Sequence, residues 1–168
     1  MMIGYFYKRI ASPVGSLKLM ASEKGLSSVT WDDPDRIQSV PDTEDSHHPI
    51  LLQAEKQLNE YFAKSRRSFS ITLDFDGTEF NRRVWTEMLK IPYGETRTYG
   101  EIAKCVGGME VVRAVGGALN KNPIAIIGPC HRVIGASGKL VGFGGGLANK
   151  AFLLRLEDEY KNPSLFSN

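Results

Sequence analysis

The sequence feature that most restricts this chain is a cysteine set between a proline and a histidine, Pro129-Cys130-His131. Proline fixes its own φ and restricts the residue before it, so the backbone around the cysteine has few choices. The thiolate is the nucleophilic form of cysteine, and the adjacent histidine is a candidate base. The apolar run at 124–128 predicts a buried strand, and the glycine-rich stretch at 135–146 predicts a loop. Together they place the thiol at the mouth of a pocket.

A buried cysteine that packs as a small apolar side chain is the alternative interpretation of Cys130. Its flanking residues favour the nucleophile, whose thiol we then expect to titrate below the roughly 8.5 of a free cysteine. Cys105, the only other cysteine, lies in a predicted helix and is expected to pack rather than react. A structural disulfide is not expected, and two free thiols fit a reducing, cytoplasmic compartment.

Charge is unevenly distributed along the chain. Residues 1–78 hold 9 Lys+Arg and 11 Asp+Glu, whereas residues 79–168 hold 12 and 8. The basic half also contains the cysteine motif, which suits contacts with phosphates, although an ordinary solvated surface would look the same. No apolar run approaches the roughly 20 residues that span a bilayer, and the N-terminus does not resemble a secretory signal. No residues have zinc-ligand spacing, so no metal is expected.

The residue pattern of the N-terminal half predicts a small β-sheet and one helix. Strand-forming residues alternate between turns, then an acidic segment with three prolines at 32–49 predicts a loop. Apolar residues at helical spacing predict a helix over 50–63. The predicted strands are 5–10, 16–21, 26–31 and 69–73.

The caps and turns of the C-terminal half predict a series of helices. Thr78 caps a helix over 79–90 and Thr98 caps a short helix that ends at Cys105. Gly107 and Gly108 form a turn before a second helix over 110–120, which is the order of a helix-turn-helix. A last helix covers 147–160.

The second helix of this pair contains adjacent glycines, Gly116 and Gly117, although each costs about 1 kcal/mol relative to alanine. Close packing against another helix is one explanation. The other is a smooth face that approaches DNA closely and reads little sequence. This face is predicted to carry Arg113, Ala114, Gly117, Ala118 and Lys121, opposite an apolar side made of Val111, Val115 and Leu119.

The C-terminal half resembles the O6-methylguanine-DNA methyltransferases through several motifs in the same order. These motifs are 91–96, Thr98-Tyr99, 113–118, Asn122-Pro123, 129–133 and 145–148. The resemblance implies an α/β (α+β) fold, with a small ribonuclease-H-like domain at 1–77 followed by a winged helix-turn-helix domain at 78–168. It implies direct-reversal DNA repair, in which a methyl group moves irreversibly from O6 of guanine to the protein's own cysteine, once per molecule and without a cofactor.

By this resemblance Cys130 accepts the alkyl group and His131 is its base, acting through a water. Glu157 orients His131, although from the sequence alone it would be a solvated carboxylate. Tyr99 donates its hydroxyl to the guanine ring, and Asn122 bridges the turn after the second helix. The resemblance assigns the pocket to Pro129, Val133, Phe143 and Gly144.

The same resemblance assigns the DNA surface to the second helix. Arg113 fills the gap left by the flipped nucleotide, and binding is through the minor groove. Ala114 and Gly117 belong to the smooth face described above, which Arg113 and Lys121 flank for contacts with phosphates or for base stacking. The expected partner is double-stranded DNA containing O6-alkylguanine, bound by a monomer that contacts no membrane and, in a bacterium, lies on the nucleoid. The main alternative function is a non-enzymatic alkyl-lesion binding protein; a transcription regulator and a cysteine hydrolase are weaker ones.

Overall fold

The chain, in a computed structural model that describes residues 4–32 and 42–161, divides into two compact units. The first covers residues 1–76 and is built on a β-sheet; the second covers residues 77–168 and is mainly helical. The predicted mixed α/β fold class is confirmed.

The N-terminal unit is built from four strands and one helix, which are β1 (Tyr5–Ile10), β2 (Leu17–Ala21), β3 (Leu26–Trp31), β4 (Asp42–Glu44) and α1 (Pro49–Phe62). The strands form one sheet in the order β3-β2-β1-β4. The first three form the antiparallel meander that the sequence predicts, and their buried side chains include Leu17, Leu19 and Val29. Helix α1 packs on this sheet with a buried apolar side, as expected.

Strand β4 corrects the prediction of a loop over 32–49, of which residues 33–41 lie outside the described part of the chain. It pairs in parallel with β1, with Tyr5 opposite Asp42. Lys18 of β2 also holds Asp42 through an ion pair of 2.8 Å. An acidic strand held in this way by a distant segment has no local pattern that could reveal it.

The predicted strand at 69–73 is also wrong, since only Leu73 forms an isolated bridge, with Leu26. Instead, the side chain of Gln57 in α1 makes hydrogen bonds with the backbone of Ser70 in this segment. Its Oε1 accepts from the Ser70 N–H at 2.9 Å, and its Nε2 donates to the Ser70 carbonyl at 3.1 Å. The Thr72 carbonyl accepts from the Leu26 N–H at 2.8 Å, so the segment meets its hydrogen bonds through one side chain and one isolated bridge, without a regular ladder.

The C-terminal unit contains the predicted helix-turn-helix. Its elements are α2 (Glu79–Leu89), β5 (Arg97–Thr98), α3 (Tyr99–Val106), α4 (Val112–Asn120), β6 (Val133–Ile134), parallel to β5, and α5 (Leu147–Lys161). Thr98 caps α3 in a reciprocal capping box with Glu101, and Thr78 caps α2. Gly108, at φ +110°, turns the chain into a short 3-10 segment at 109–111 that leads into α4.

The apolar run before the cysteine motif is a tight buried turn, which corrects the predicted strand at 124–128. Ile126 has φ +72°, and the Gly128 N–H donates to the Ile124 carbonyl at 2.7 Å. Ala118, predicted on the exposed side of α4, is buried, and its carbonyl accepts from Trp85 Nε1 at 2.8 Å. The apolar residues therefore pack as expected, but through a turn that brings the chain back on itself.

No helix within residues 4–32 and 42–161 combines the length and the apolar character needed to cross a bilayer.

The turn at 124–128 predicts different results for two glycine substitutions. A Cβ on Gly128 would lie 2.7 Å from the Ile124 carbonyl oxygen and 2.9 Å from Met88 Cε, whereas one on Gly116 meets nothing within 4 Å. We expect Gly128→Ala to lower the free energy of unfolding by about 1–3 kcal/mol. Gly116→Ala should raise it by up to about 1 kcal/mol, because alanine is the better helix former. Urea unfolding checks both, and equal values for Gly128→Ala and wild type would contradict the tight turn.

Candidate active site

The candidate nucleophile, Cys130, begins a short 3-10 turn that covers Cys130–Arg132. Its N–H donates to the Gly128 carbonyl at 2.8 Å, and its side chain is mostly enclosed. Burial raises the pKa of the Cys130 thiol, while a hydrogen bond from Asn122 and the charge of Lys150 oppose that effect. The expectation of a thiol that titrates below its usual range is therefore wrong, because enclosure outweighs the neighbouring positive charge.

Asn122 holds the turn that positions the cysteine. Its Nδ2 donates to the Gly128 carbonyl at 2.9 Å, and its Oδ1 accepts from the Ile124 N–H at 3.1 Å. It lies just after α4 along the chain. One side chain therefore connects the end of α4 with the segment that carries Cys130, in the place where the sequence led us to expect a bridge.

A buried cluster around Glu157 lies beside the cysteine motif. His131 Nε2 is 2.6 Å from Glu157 Oε2, and both side chains are almost completely buried. Arg132 donates to the same carboxylate from Nε at 2.8 Å and from Nη2 at 3.1 Å. The Gly94 N–H donates to Oε1 at 3.1 Å. A solvated Glu157, the alternative drawn from the sequence alone, is thus wrong.

The carboxylate of Glu157 is ionised in this cluster. Burial acts to raise its pKa, but the hydrogen bonds and charges of His131 and Arg132 outweigh burial and lower the pKa to about 2. Arg132 stays charged under all ordinary conditions and holds the carboxylate in a two-pronged contact. The pair Arg132–Glu157 is therefore a permanent buried ion pair.

His131 is neutral at physiological pH. Burial lowers its pKa, and the charges of Arg132 and Lys150 act in the same direction against the attraction of Glu157. Because the ionised carboxylate accepts at Nε2, that nitrogen carries the proton, which leaves the lone pair on Nδ1. Nδ1 is buried and has no hydrogen-bond partner among the described residues. The arrangement presents an unprotonated nitrogen that can accept a proton.

Tyr99 and Lys150 connect the glycine-rich loop to the site. The Tyr99 hydroxyl donates to the carbonyls of Val141 at 2.9 Å and Gly142 at 3.4 Å. Lys150 is fully buried in α5, and its Nζ donates to the Val133 carbonyl at 2.6 Å and the Val141 carbonyl at 3.0 Å. Burial raises the pKa of Tyr99 and lowers that of Lys150. Tyr99 therefore ties the loop to the start of α3, and Lys150 ties it to Val133 in the segment that follows Cys130.

The four residues expected to line the pocket differ in how far they are exposed to solvent. Pro129 and Val133 are buried, and Phe143 is half-buried. Gly144 is exposed, and a Cβ added to it would meet no atom within 4 Å. Two of them, Pro129 and Val133, therefore flank the Cys130–Arg132 turn along the chain, and the other two lie in the loop at 135–146.

The face of α4 expected to bind DNA is exposed. A Cβ on Gly116 or Gly117 would meet nothing within 4 Å, so tight helix packing, one of the two explanations for these glycines, is wrong. The expected apolar side is buried at Val115 and Leu119 but only half-buried at Val111. The exposed residues of this face are Arg113, Ala114, Gly117 and Lys121.

Sequence reasoning missed Arg132 and Lys150. Both are buried cations, and sequence analysis assigns such residues to the surface by default. A helical pattern could have revealed Lys150, since it lies seven residues before Glu157 and shares the buried side of α5 with it. Cys105 was expected to pack but is exposed. Within the described residues, no group of three or more His, Cys, Asp or Glu side chains could hold a metal.

Family models match almost the whole chain. The model of the 6-O-methylguanine DNA methyltransferase DNA-binding domain matches residues 79–159, and that of the ribonuclease-like domain of the same family matches residues 5–75.

Individual proteins are similar over nearly their full length. A methylated-DNA–protein-cysteine methyltransferase of Methanosarcina acetivorans is 49% identical over 152 residues, which is 90% of this chain and 97% of the relative. One of Mycobacterium leprae is 49% identical over 158 residues, or 92% and 93%. The crystal structure of Mycobacterium tuberculosis OGT in complex with DNA aligns with a TM-score of 0.83 and 45% identity, over 98% of this chain and 100% of that chain.

The Glu157 cluster predicts a specific loss of stability in acid. The carboxyl has a pKa of about 2 when folded and about 4.5 when exposed, so the unfolded chain binds the proton more tightly. Stability present above pH 5 is therefore lost as the pH falls toward 2, by about 3 kcal/mol. Glu157→Gln should be less stable than wild type by about 3 kcal/mol at pH 7, because Arg132 is left unpaired, and this gap should close in acid.

Glu159→Gln is the matched control for this measurement, since Glu159 pairs with Arg155 on the exposed side of the same helix. It should change the free energy of unfolding by less than about 0.5 kcal/mol at any pH. Urea unfolding at several pH values from about 2.5 to 7 measures all three proteins. A constant gap between wild type and Glu157→Gln would contradict the lowered pKa.

Proposed function

This chain belongs to the 6-O-methylguanine DNA methyltransferase family, and from that premise we propose that Cys130 is the residue that carries its repair chemistry. The protein reverses O6-methylation of guanine in DNA directly, by irreversible transfer of the methyl group to its own cysteine. The observation that supports Cys130 is its place beside a neutral buried histidine whose free nitrogen is unpaired. The lesion-binding alternative without transfer is not favoured, since the similar full-length proteins are named as methyltransferases.

The proposed step is a displacement at the alkyl carbon. The Cys130 thiol gives its proton to His131 Nδ1 through a bridging water, and the sulfur forms a bond to the methyl carbon. The bond from that carbon to O6 breaks, its electron pair moves into the purine ring, and a proton taken up by the ring restores guanine. The resulting thioether has no leaving group, so each molecule acts once.

The Glu157 cluster supports this route because it fixes the tautomer of His131. A carboxylate that accepts at Nε2 keeps the proton there and leaves Nδ1 as the base. Arg132 already balances the negative charge of Glu157, so the imidazole remains neutral until the thiol proton arrives. In this proposal Glu157 orients the base and stabilises the imidazolium that forms.

Tyr99 acts on the other side of the substrate. We propose that its hydroxyl turns from the Val141 carbonyl to the guanine ring, where it offsets the charge that develops as O6 is released. Lys150, whose Nζ lies 5.8 Å from the centre of the Tyr99 ring, places a positive charge beneath this pocket. Asn122 keeps Cys130 aligned. Pro129, Val133, Phe143 and Gly144 form the walls that accept the alkylated base.

The DNA surface is proposed on α4. Duplex DNA is the partner, and its damaged nucleotide must leave the stack because the alkyl carbon is unreachable within a duplex. Arg113 would fill the gap, Ala114 and the open side of Gly117 would allow close approach in the minor groove, and Lys121 would contact a phosphate. The open space beside Gly117 is what supports a close partner outside the protein.

Residues 1–77 form the ribonuclease-H-like domain and residues 78–168 the domain for DNA binding and alkyl transfer. The protein acts as a monomer in the cytoplasm, on the nucleoid if the cell is bacterial.

Mass spectrometry tests the assignment of Cys130. Incubation with an excess of duplex oligonucleotide containing O6-methylguanine should add one methyl group per chain, on the peptide that contains Cys130, because the thioether is not turned over. Cys130→Ser should gain none, and Cys105→Ser, the matched control, should gain one. Methyl on Cys105, or continued turnover, would sink the proposal.

The dependence of single-turnover rate on pH tests the base. Because burial raises the thiol pKa and lowers the His131 pKa, neutral His131 takes the proton during the reaction. The rate should therefore fall in acid, with a midpoint below about 6.5, and stay flat from about pH 7 to 8.5. A thiolate formed before the reaction would instead give a rate that rises about tenfold per pH unit over that range. Such a rise would remove His131 from its role.

A further inference from the structure

A long stretch of the C-terminal unit contains no acidic residue. From Val111 to Leu156 the sequence has six cations and no Asp or Glu. Two of these cations, Arg132 and Lys150, are buried in the site described above. The four exposed cations are Arg113 and Lys121, at the two ends of α4, Lys139 in the loop at 135–146, and Arg155 in α5.

Lys139 has no carboxylate partner among the described residues, unlike several other cations of this unit. Ion pairs join Lys90 to Glu87, Arg97 to Glu95 and Arg155 to Glu159. A backbone hydrogen bond holds Lys139 in place, because its carbonyl accepts from the Gly135 N–H at 2.8 Å. Its side chain is exposed. The fold therefore presents this ammonium group on a fixed turn, free to bind an anion.

The loop that carries Lys139 and the start of α4 meet the same turn of α3. Tyr99, its first residue, donates to Val141 and Gly142 of the loop. The next residue, Gly100, is covered by the side chain of Met109, whose Cε would lie 3.3 Å from a Cβ there. Met109 begins the 3-10 segment that leads into α4. The loop and the segment that leads into α4 thus both contact the first turn of α3.

We propose that Lys139 binds a backbone phosphate of the DNA strand that carries the damaged guanine, and thereby holds the loop over the extruded base. This inference rests on the proposed transfer at Cys130. The ammonium is a compact point charge that suits a phosphate and reads no sequence. Because Val141, two residues along, is tied to Tyr99 and Lys150, a phosphate held by Lys139 places the DNA backbone next to the pocket wall.

A phosphate contact at Lys139 would affect transfer from two substrates differently. A phosphate contact matters for duplex DNA containing O6-methylguanine but not for the free base O6-methylguanine, which has no phosphate. Lys139→Gln should therefore slow transfer from the duplex by up to about eightfold at about 0.1 M salt, the value of one lost phosphate contact. Under second-order conditions, a plot of log rate against log salt concentration should have a slope about 0.9 less steep for Lys139→Gln than for wild type. Transfer from the free base should stay within about twofold of wild type, a margin of roughly 0.4 kcal/mol.

Two further variants control this measurement. Lys139→Arg keeps the charge and should restore most of the duplex rate and the salt slope. Lys24→Gln removes the same charge from another exposed turn that also contains a glycine, between β2 and β3, and should behave as wild type.

The proposal is overturned if Lys139→Gln matches Lys24→Gln on the duplex. It is equally overturned if both substrates slow together, or if Lys139→Arg fails to restore the duplex rate, since either result means that Lys139 shapes the loop. A wild-type chain that transfers from neither substrate would contradict the proposed function itself, a result distinct from these three.

Discussion

The carboxylate of Glu157 is the interaction on which the C-terminal unit depends. It accepts hydrogen bonds from Gly94 in the loop after α2, twice from Arg132, and from His131. These donors come from segments that are far apart in sequence, so one buried charge holds α5, the cysteine turn and the 91–94 loop together. Such an ion pair is costly to break, because the remaining charge stays buried. The same contact that stabilises the unit also sets the tautomer of His131, which is the base in the proposed mechanism.

The fold was predictable where local rules decide it. Thr78 and Thr98 cap helices as their positions indicate, and the glycines at 107 and 108 end α3. Prediction failed where a distant group supplies the hydrogen bonds. The acidic residues at 42–44 form a strand because they pair with β1 and because Lys18 binds Asp42. The side chain of Gln57 hydrogen-bonds to the backbone of Ser70. Neither partner can be read from a window of neighbouring residues.

The site shows a similar division. The sequence singles out Cys130 and His131 because they are adjacent, and Glu157 only through resemblance to a family. It could not show that Arg132 neutralises Glu157, because that requires knowing that both are buried. It also led to the wrong direction for the thiol pKa. The adjacent histidine suggested a lowered pKa for the Cys130 thiol, whereas burial raises that pKa.

That raised pKa changes how the cysteine can be reactive. A permanently ionised thiolate would be exposed to any electrophile that reaches the pocket, while a neutral thiol beside a neutral histidine reacts only when proton transfer and attack are aligned. In the proposed mechanism, alignment in turn requires the guanine to be held beside Cys130, next to the loop that Tyr99 and Lys150 fix. A single-use protein benefits from this arrangement, since a cysteine lost to the wrong electrophile cannot be recovered. The exposed cations in the acid-free stretch from Val111 to Leu156 would attract the phosphates of damaged and undamaged DNA alike, so in the proposed mechanism the fit of the base beside Cys130, and not charge, selects the alkyl group.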